Sequence, residues 1–448
     1  MTIDRRSVLF GLGAVAACAC GGTRRSRAPR VKPIEPREYL DHAAGAARYI
    51  RRHAVTKPDG LVWRKSPDEP ESLGVDLYHG SAGVVVFLLE LFRATNERAA
   101  LDEAIAGMAH IVATWPETFG PGESGLYGGL AGHAFMLHEL ARTTGDARHR
   151  AWRRDAIARL EKTATPASSG GRELAGMTDI LYGAAGVILA LVAIGDGDDR
   201  ARPLAIALGD GLLGQAQPTP KGKRWLMFPD DTRELPNFSH GTAGIAYALA
   251  RLYEVTREQR FLEASIAGAE HILSLARTEG DVCLVPHVLP DGAERYYLAY
   301  CHGPAGTARL FHQLHHVTRD RGWAEWLRKS INGVLYSGLP LQRTPGFWDN
   351  VGQCCGTAAI AELALSLHRL RGEPAYRELA ETCAADIVAR ATAHDRELEW
   401  IHAENRAEPY WKQSYTGYMQ GAAGIGSMFI RLARPEAKVR LPDNPWPA

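Results

Sequence analysis

Seven times along the chain, a glycine, two residues and a second small residue introduce a stretch that is almost wholly apolar. The copies are Gly80-Ser81-Ala82-Gly83, Gly129-Leu130-Ala131-Gly132, Gly183-Ala184-Ala185-Gly186, Gly241-Thr242-Ala243-Gly244, Gly303-Pro304-Ala305-Gly306 and Gly421-Ala422-Ala423-Gly424. Gly356-Thr357-Ala358-Ala359 is a further copy that has lost its second glycine. Successive first glycines lie 49 to 65 residues apart. That step is too long for one helix and suits a helical hairpin with generous loops.

The segments behind the glycines, such as Val84–Leu89 and Val187–Val192, are apolar on all sides, which is the pattern of a buried helix. Between copies lie longer amphipathic segments, clearest at Ala99–Ala113, Phe261–Ala276 and Tyr376–Ala389. Weaker ones stand at Tyr39–Arg52, Arg150–Lys162, Ala201–Leu213 and Trp323–Leu335. An inner and an outer helix per repeat predict an all-α fold, an α/α toroid of seven outer and seven inner helices, with every glycine junction at one end. An open helical solenoid would also repeat. Against it, the residues just ahead of the glycines differ from copy to copy, as they should if they face a shared centre. Glycine there permits tight turns and close helix approach, and it is expected to leave backbone N–H groups open at each helix start.

The 52 basic and 51 acidic residues nearly cancel, so no global field draws the chain to nucleic acid. Hydrophobic content of 46% and charged content of 23% suit a globular protein with a large core. No apolar run of about 20 residues follows the leader, so no transmembrane helix is expected in the mature chain. Residues 1–20 read as a signal segment. Arg5-Arg6 precedes an apolar run from Phe10 to Ala17, the pattern of twin-arginine export, and Val15-Ala16-Ala17-Cys18 resembles a lipoprotein cleavage box. The expectation is an exported protein, periplasmic or at the cell surface, attached to the membrane through lipidated Cys18; Cys20 and a small-residue cut are competing processing sites. Residues 21–38 form a flexible basic tether, and 39–448 a single domain.

The two residues ahead of each first glycine are Tyr78-His79, Tyr127-Gly128, Leu181-Tyr182, Ser239-His240, Cys301-His302, Cys354-Cys355 and Met419-Gln420. In a closed ring they line one mouth, and histidine and cysteine concentrate there. Cys301, Cys354 and Cys355 supply three thiolates, a ligand set for Zn2+ with one position open for substrate. A first shell so rich in negative charge favours activation of a soft thiol. The competing reading is a disulfide with one spare thiol, which an oxidising compartment favours. His302 could serve as a ligand in place of Cys355, but it reads better as a rim residue. Cys283 and Cys383 fall outside the junctions and read as ordinary buried thiols. His240, one repeat before the first cysteine, is placed to act as general acid or base; His79 has the same repeat position. Asp179 could orient His240 or handle a proton itself. Asp76 has the same offset from its glycine, so position alone does not choose between them, and both could simply cap a helix start.

These seven glycine motifs and the metal positions resemble the lanthionine synthetase C-like family over about Tyr39 to Arg434. The resemblance implies a toroid with zinc at the centre of one end, and addition of a thiol to a dehydroalanine, a dehydrobutyrine or a similar electrophile. Its metal ligands match Cys301, Cys354 and Cys355, as in the subgroup with three cysteine ligands. Its active-site histidine matches His240 and its aspartate Asp179, which favours these two over His79 and Asp76. Tyr300 stands where a tryptophan is common. The implied partner is a thiol-containing peptide or a small thiol. Two other function classes compete: a non-catalytic exported module that binds zinc and a thiol peptide, and a toroidal glycoside hydrolase with Asp179 and Asp76 as its carboxylate pair.

Overall fold

Every apolar stretch behind a glycine forms a helix starting at the next residue. The computed structural model describes residues 34–168, 170–342, 350–402 and 413–446. The leader 1–20, Cys18 and the tether as far as residue 33 lie outside the described residues. Helix α1 (Pro36–Arg52) is followed by six helical hairpins and a last single helix. The hairpins are α2 (Ser81–Thr95) with α3 (Arg98–Ala113), α4 (Leu130–Thr144) with α5 (Ala147–Thr163), and α6 (Ala184–Ile194) with α7 (Ala201–Gln215). They continue with α8 (Thr242–Thr256) and α9 (Gln259–Leu275), α10 (Pro304–Thr318) and α11 (Arg321–Leu335), and α12 (Thr357–Arg371) and α13 (Pro374–Ala389). Among the described residues no helical partner follows α14 (Ala422–Ala433), which packs on α1.

That pairing closes the ring. The even-numbered helices touch in the order α2, α4, α6, α8, α10, α12, α14 and back to α2, so each inner helix has two inner neighbours and one outer partner. An open solenoid would leave α2 and α14 apart. Burial follows from position: Ser81 to Leu91 of α2 are buried without a break, whereas α13 buries only a stripe including Tyr376, Ala380, Cys383 and Ile387. The amphipathic segments expected from the sequence are the outer helices. Among the described residues, no helix is long and apolar enough to cross a membrane.

A turn repeats within the hairpins. Thr95, Thr144, Thr256 and Thr318 each donate a hydroxyl hydrogen bond to the carbonyl four residues back and accept the N–H two residues on. The residue between turns left-handed: Asn96 at φ 59°, Gly145 at 71°, Arg257 at 61° and Arg319 at 60°.

The sequence reading contained no strands, and the structure has short antiparallel ones behind the outer helices. A three-stranded sheet, β1 (Ala54–Lys57), β2 (Gly60–Ser66) and β3 (Glu69–Leu73), follows α1. Two-stranded pairs follow α5 (β4 Thr165–Pro166, β5 Arg172–Glu173), α7 (β6 Gln217–Thr219, β7 Gly222–Arg224) and α9 (β8 Arg277–Glu279, β9 Val282–Leu284). Behind α13 come β10 (Thr392–His394) with β11 (Glu397–Glu399) and β12 (Ile401–His402) with β13 (Gln413–Ser414). Trp63, Trp225 and Trp400, in or beside these pairs, are fully buried. The indoles of Trp225 and Trp400 donate to Leu212 O and Ile387 O of the preceding outer helices.

The lumen inside the inner ring is charged. Arg431 of α14 pairs with Glu90 of α2 at 2.6 Å and with Glu362 of α12, and Lys438 reaches Glu362 at 3.0 Å. Lys438 belongs to the segment after α14, which enters the ring and places Val439, Asp443 and Trp446 in full burial. Asp443 accepts hydrogen bonds from both Tyr127 and Tyr300, in junctions three steps apart around the ring, so it stands near the ring axis.

Candidate metal centre

Each junction loop folds back on itself over six residues, and the glycines are where backbone meets backbone. A Cβ on Gly241 would fall 1.5 Å from Leu235 O, and one on Gly244 would fall 2.0 Å from Phe238 O. Both positions therefore exclude a side chain unless the loop moves. The expectation of open N–H groups at the helix starts is overturned by this loop. Its own carbonyls accept them: Leu130 N to Glu123 O at 2.9 Å, Thr242 N to Leu235 O at 3.1 Å, Thr357 N to Asn350 O at 3.0 Å and Ala422 N to Tyr415 O at 2.8 Å. The helix starts are capped by backbone rather than by side chains or a ligand.

A second set of backbone hydrogen bonds joins each junction to the next. Tyr78 N donates to Tyr127 O, Tyr127 N to Leu181 O, Ile180 N to Ser239 O and Ser239 N to Cys301 O. Cys301 N donates to Cys354 O, Cys354 N to Met419 O and Met419 N to Tyr78 O, which completes the circle. The belt fixes the residue two before each glycine, and all seven such residues are buried. The residues one before the glycine sit closer to solvent: His79, Gly128, Tyr182, His240 and His302 are half-buried, while Cys355 and Gln420 are buried.

Cys301 and Cys354 are adjacent links of this belt, and Cys355 follows directly. Their sulfurs consequently converge. Cys301 Sγ lies 2.9 Å from Cys355 Sγ, Cys355 Sγ lies 3.4 Å from Cys354 Sγ, and all three are within 4.8 Å of one another. These separations exceed the ~2.05 Å of a disulfide and need only a small outward movement to reach the ~3.8 Å spacing of sulfurs around a tetrahedral zinc. The Cys355 thiol is pushed well up by its hydrogen bonds to Cys301 and Cys354 and by burial. Three sulfurs packed this closely cannot share negative charge without a cation among them, so the donor set fits a soft divalent ion. Cys283 and Cys383 do not join this group and are buried, with their thiols pushed up by burial, as expected of ordinary buried cysteines.

Beside the sulfurs, His240 Nδ1 is 2.7 Å from Asp179 Oδ2, and Asp179 is fully buried. Asp179 Oδ1 accepts the Tyr182 N–H at 3.0 Å. Asp76 makes the equivalent local bond to His79 N at 2.7 Å, which explains why the two aspartates share an offset in sequence. They part company at the second oxygen, which in Asp179 holds a histidine. Burial lowers the proton affinity of His240, but the hydrogen bond and charge of Asp179, helped by Cys354, outweigh it and raise its pKa. His79 instead places Nε2 2.6 Å from Gln420 Oε1.

The sequence reading left His302 at the rim and passed over its company. Its ring lies 4.4 Å from that of His287 and 6.1 Å from that of His240, and Tyr182 stacks on His240 at 6.0 Å. Burial, followed by His287 and His240, pushes His302 well below the usual histidine range, which favours a neutral ring. Tyr182 held a junction position and was open to recognition; His287 lies in no repeat and carried no signal.

A family model described as lanthionine synthetase C-like protein matches residues 71–445. Among solved structures, nisin cyclase superposes with a TM-score of 0.61 at 16% identity, covering 89% of this chain and 94% of that one. A Listeria innocua protein gives 0.50 at 12% identity, covering 89% and 97%. A GH76 alpha-mannanase of Bacteroides thetaiotaomicron gives 0.49 at 9% identity, covering 89% and 96%. No curated protein sequence matches the chain. At these identities the nisin cyclase and Listeria structures bear on the fold alone, whereas the family match spans most of the sequence: the chain belongs to the lanthionine synthetase C-like family.

Proposed function

We propose that this protein is a zinc-dependent enzyme that adds a thiol across the double bond of a dehydroamino acid or similar Michael acceptor, leaving a thioether. The observation that carries the proposal is the convergence of three cysteine sulfurs at the mouth beside a histidine held by a buried carboxylate. Cys301, Cys354 and Cys355 would hold the ion, which when bound supplies the positive charge that keeps a substrate sulfur deprotonated at neutral pH. Asp179 fixes the ring of His240 through Nδ1 and leaves Nε2 as the group that meets substrate. The substrate thiol gives its proton to His240 Nε2, and its sulfur forms a bond to the β-carbon. The π electrons move to the neighbouring carbonyl as an enolate, and a proton from His240 Nε2 completes the α-carbon. One S–H has then been added across one C=C. The raised proton affinity of His240 suits it to the donor role. The half-buried rings of Tyr182 and His302 flank this site and limit water around the enolate.

A cysteine-containing dehydrated peptide is the substrate class this reading favours, with a small thiol as the simpler version. The location we propose is outside the cytosol, with attachment through Cys18. A glycoside hydrolase is disfavoured, because both oxygens of Asp179 are already engaged. The test is thioether formation between a small thiol and a dehydroalanine peptide by the zinc-loaded chain. His240→Ala should lower the rate about 100-fold or more while zinc content stays constant. An unchanged rate in that variant, or thiol binding with no product in the parent, supports the non-catalytic module instead.

A further inference from the structure

The three sulfurs must be held against their own repulsion, and the belt holds only their backbone. Cys301 has an additional support below it. Tyr300, its neighbour, points into the lumen, where its hydroxyl lies 2.7 Å from Asp443 Oδ2. The same oxygen receives Arg309 Nη1 at 2.9 Å, and that nitrogen also reaches Asp443 O at 3.0 Å. Arg309 stacks 4.7 Å above the Tyr300 ring and 5.4 Å above Phe238, so ring, guanidinium and carboxylate form one packed unit. Among the described residues, Tyr127 is the only other side chain that donates to Asp443, at 3.2 Å, and it comes from a junction with no cysteine.

The segment carrying Asp443 is itself rigid. Lys438 pairs with Glu362, and Val439 N donates to Glu90 at 2.7 Å. Arg440 donates to Asn444 O at 3.0 Å and to Pro445 O at 2.8 Å, closing a compact turn around Asp443. Asn444 Nδ2 reaches Glu362 at 3.3 Å, and Trp446 is buried against His312 with ring centres 4.6 Å apart. A carboxylate on the ring axis, anchored to three inner helices, thus meets the residue next to one sulfur.

We propose that Asp443 is a positioning residue for the metal centre, holding Tyr300 and through it the Cys301 sulfur in register with Cys354 and Cys355. This rests on the metal centre proposed above. It makes the segment after α14 a part of the site, although none of its described residues reaches the mouth. A ligand whose orientation is fixed from behind costs the site less ordering when the ion binds, and loss of such a support typically weakens metal binding by about 10-fold or more.

The test measures zinc affinity of the full chain by competition with a chromophoric chelator, together with the sulfur-to-metal charge-transfer band of the cobalt(II) form. Tyr300→Phe and Tyr127→Phe each remove one hydroxyl from the same carboxylate, so they serve as a matched pair. Tyr300→Phe should weaken zinc about 10-fold and diminish the charge-transfer band, while Tyr127→Phe leaves both within about twofold. Asp443→Asn should match Tyr300→Phe, and the double variant should be no weaker than either single one, as for two residues in one chain of contacts. Equal effects of the two tyrosine variants, or additive effects of Tyr300→Phe and Asp443→Asn, would overturn the positioning role while leaving the metal centre intact. A parent chain that takes up no zinc would overturn both.

Discussion

At the mouth, neighbouring repeats are joined by backbone hydrogen bonds that do not depend on residue type, from Tyr78–Tyr127 round to Met419–Tyr78. In the lumen, the same inner helices meet each other and the segment after α14 through unique side chains: Arg431 between Glu90 and Glu362, and Arg309 on Asp443. The mouth can therefore vary its side chains copy by copy, and it carries the chemistry. The lumen cannot, because each buried charge there needs its particular partner. Glu362 shows this dependence. Burial alone would raise its pKa, but Arg431 and Lys438 hold it well below the usual carboxylate range. Glu90 shares Arg431 but, among the described residues, has no second cation and no partner for Oε2; burial dominates there and raises it.

The contrast predicts where the molecule is fragile. Arg431→Met strands Glu90 and halves the support of Glu362, and should cost about 3–5 kcal/mol in urea unfolding of the metal-stripped chain. Cys354→Ser at the mouth should cost no more than about 1 kcal/mol in the same measurement. Similar losses in the two would abolish the distinction.

Acid should weaken the fold through a buried histidine. His133 of α4 receives Trp115 Nε1–H at Nδ1 (3.2 Å), and its Nε2 lies 2.9 Å from Val75 O. Only the neutral ring with its proton on Nε2 satisfies both contacts. Burial pushes its pKa down to about 4 from 6.5. Because the folded value is depressed, the unfolded chain takes up this proton first. Stability is complete above pH 6.5 and declines as the pH falls towards 4, by about 3 kcal/mol in all. Comparing the parent chain with His133→Gln at pH 7 and pH 4.5 isolates the effect, and equal slopes would refute it.

A smaller effect separates the two kinds of glycine position. Gly244→Ala pushes a methyl group against Phe238 O and should cost about 2 kcal/mol by displacing the junction beside Cys301. Ala359→Gly, where the copy at Gly356 already carries a methyl group, should cost about 0.5–1 kcal/mol through helix entropy alone. Thermal melting of both variants tests the difference.

The same contrast explains what could be read without coordinates. The junctions repeat, so the ring, its inner and outer helices and the grouping of Cys301, Cys354 and Cys355 could be inferred from spacing. Spacing could not choose Asp179 over Asp76, because the two make the same local bond and differ only in what faces the second oxygen; the family resemblance supplied that choice. The lumen is built from single residues far apart in sequence, and no period links Glu90 to Arg431 or Tyr300 to Asp443. A signal existed nonetheless: one Glu in Val84–Leu91 and one Arg in Ile425–Leu432 are isolated charges inside apolar helices, and such charges need each other. The Thr-centred hairpin turns also repeat visibly, at Thr95, Thr144, Thr256 and Thr318. The strands escaped notice because each is only a few residues long and sits between louder helical patterns.

Zinc K-edge X-ray absorption on the purified, zinc-loaded chain addresses the central claim most directly. Three sulfur neighbours at about 2.3 Å, falling to two in Cys301→Ala and in Cys355→Ala, is the result expected when the closed ring of junctions gathers these cysteines around one ion. A first shell with fewer than three sulfurs in the parent chain, or one unchanged by either substitution, would contradict it.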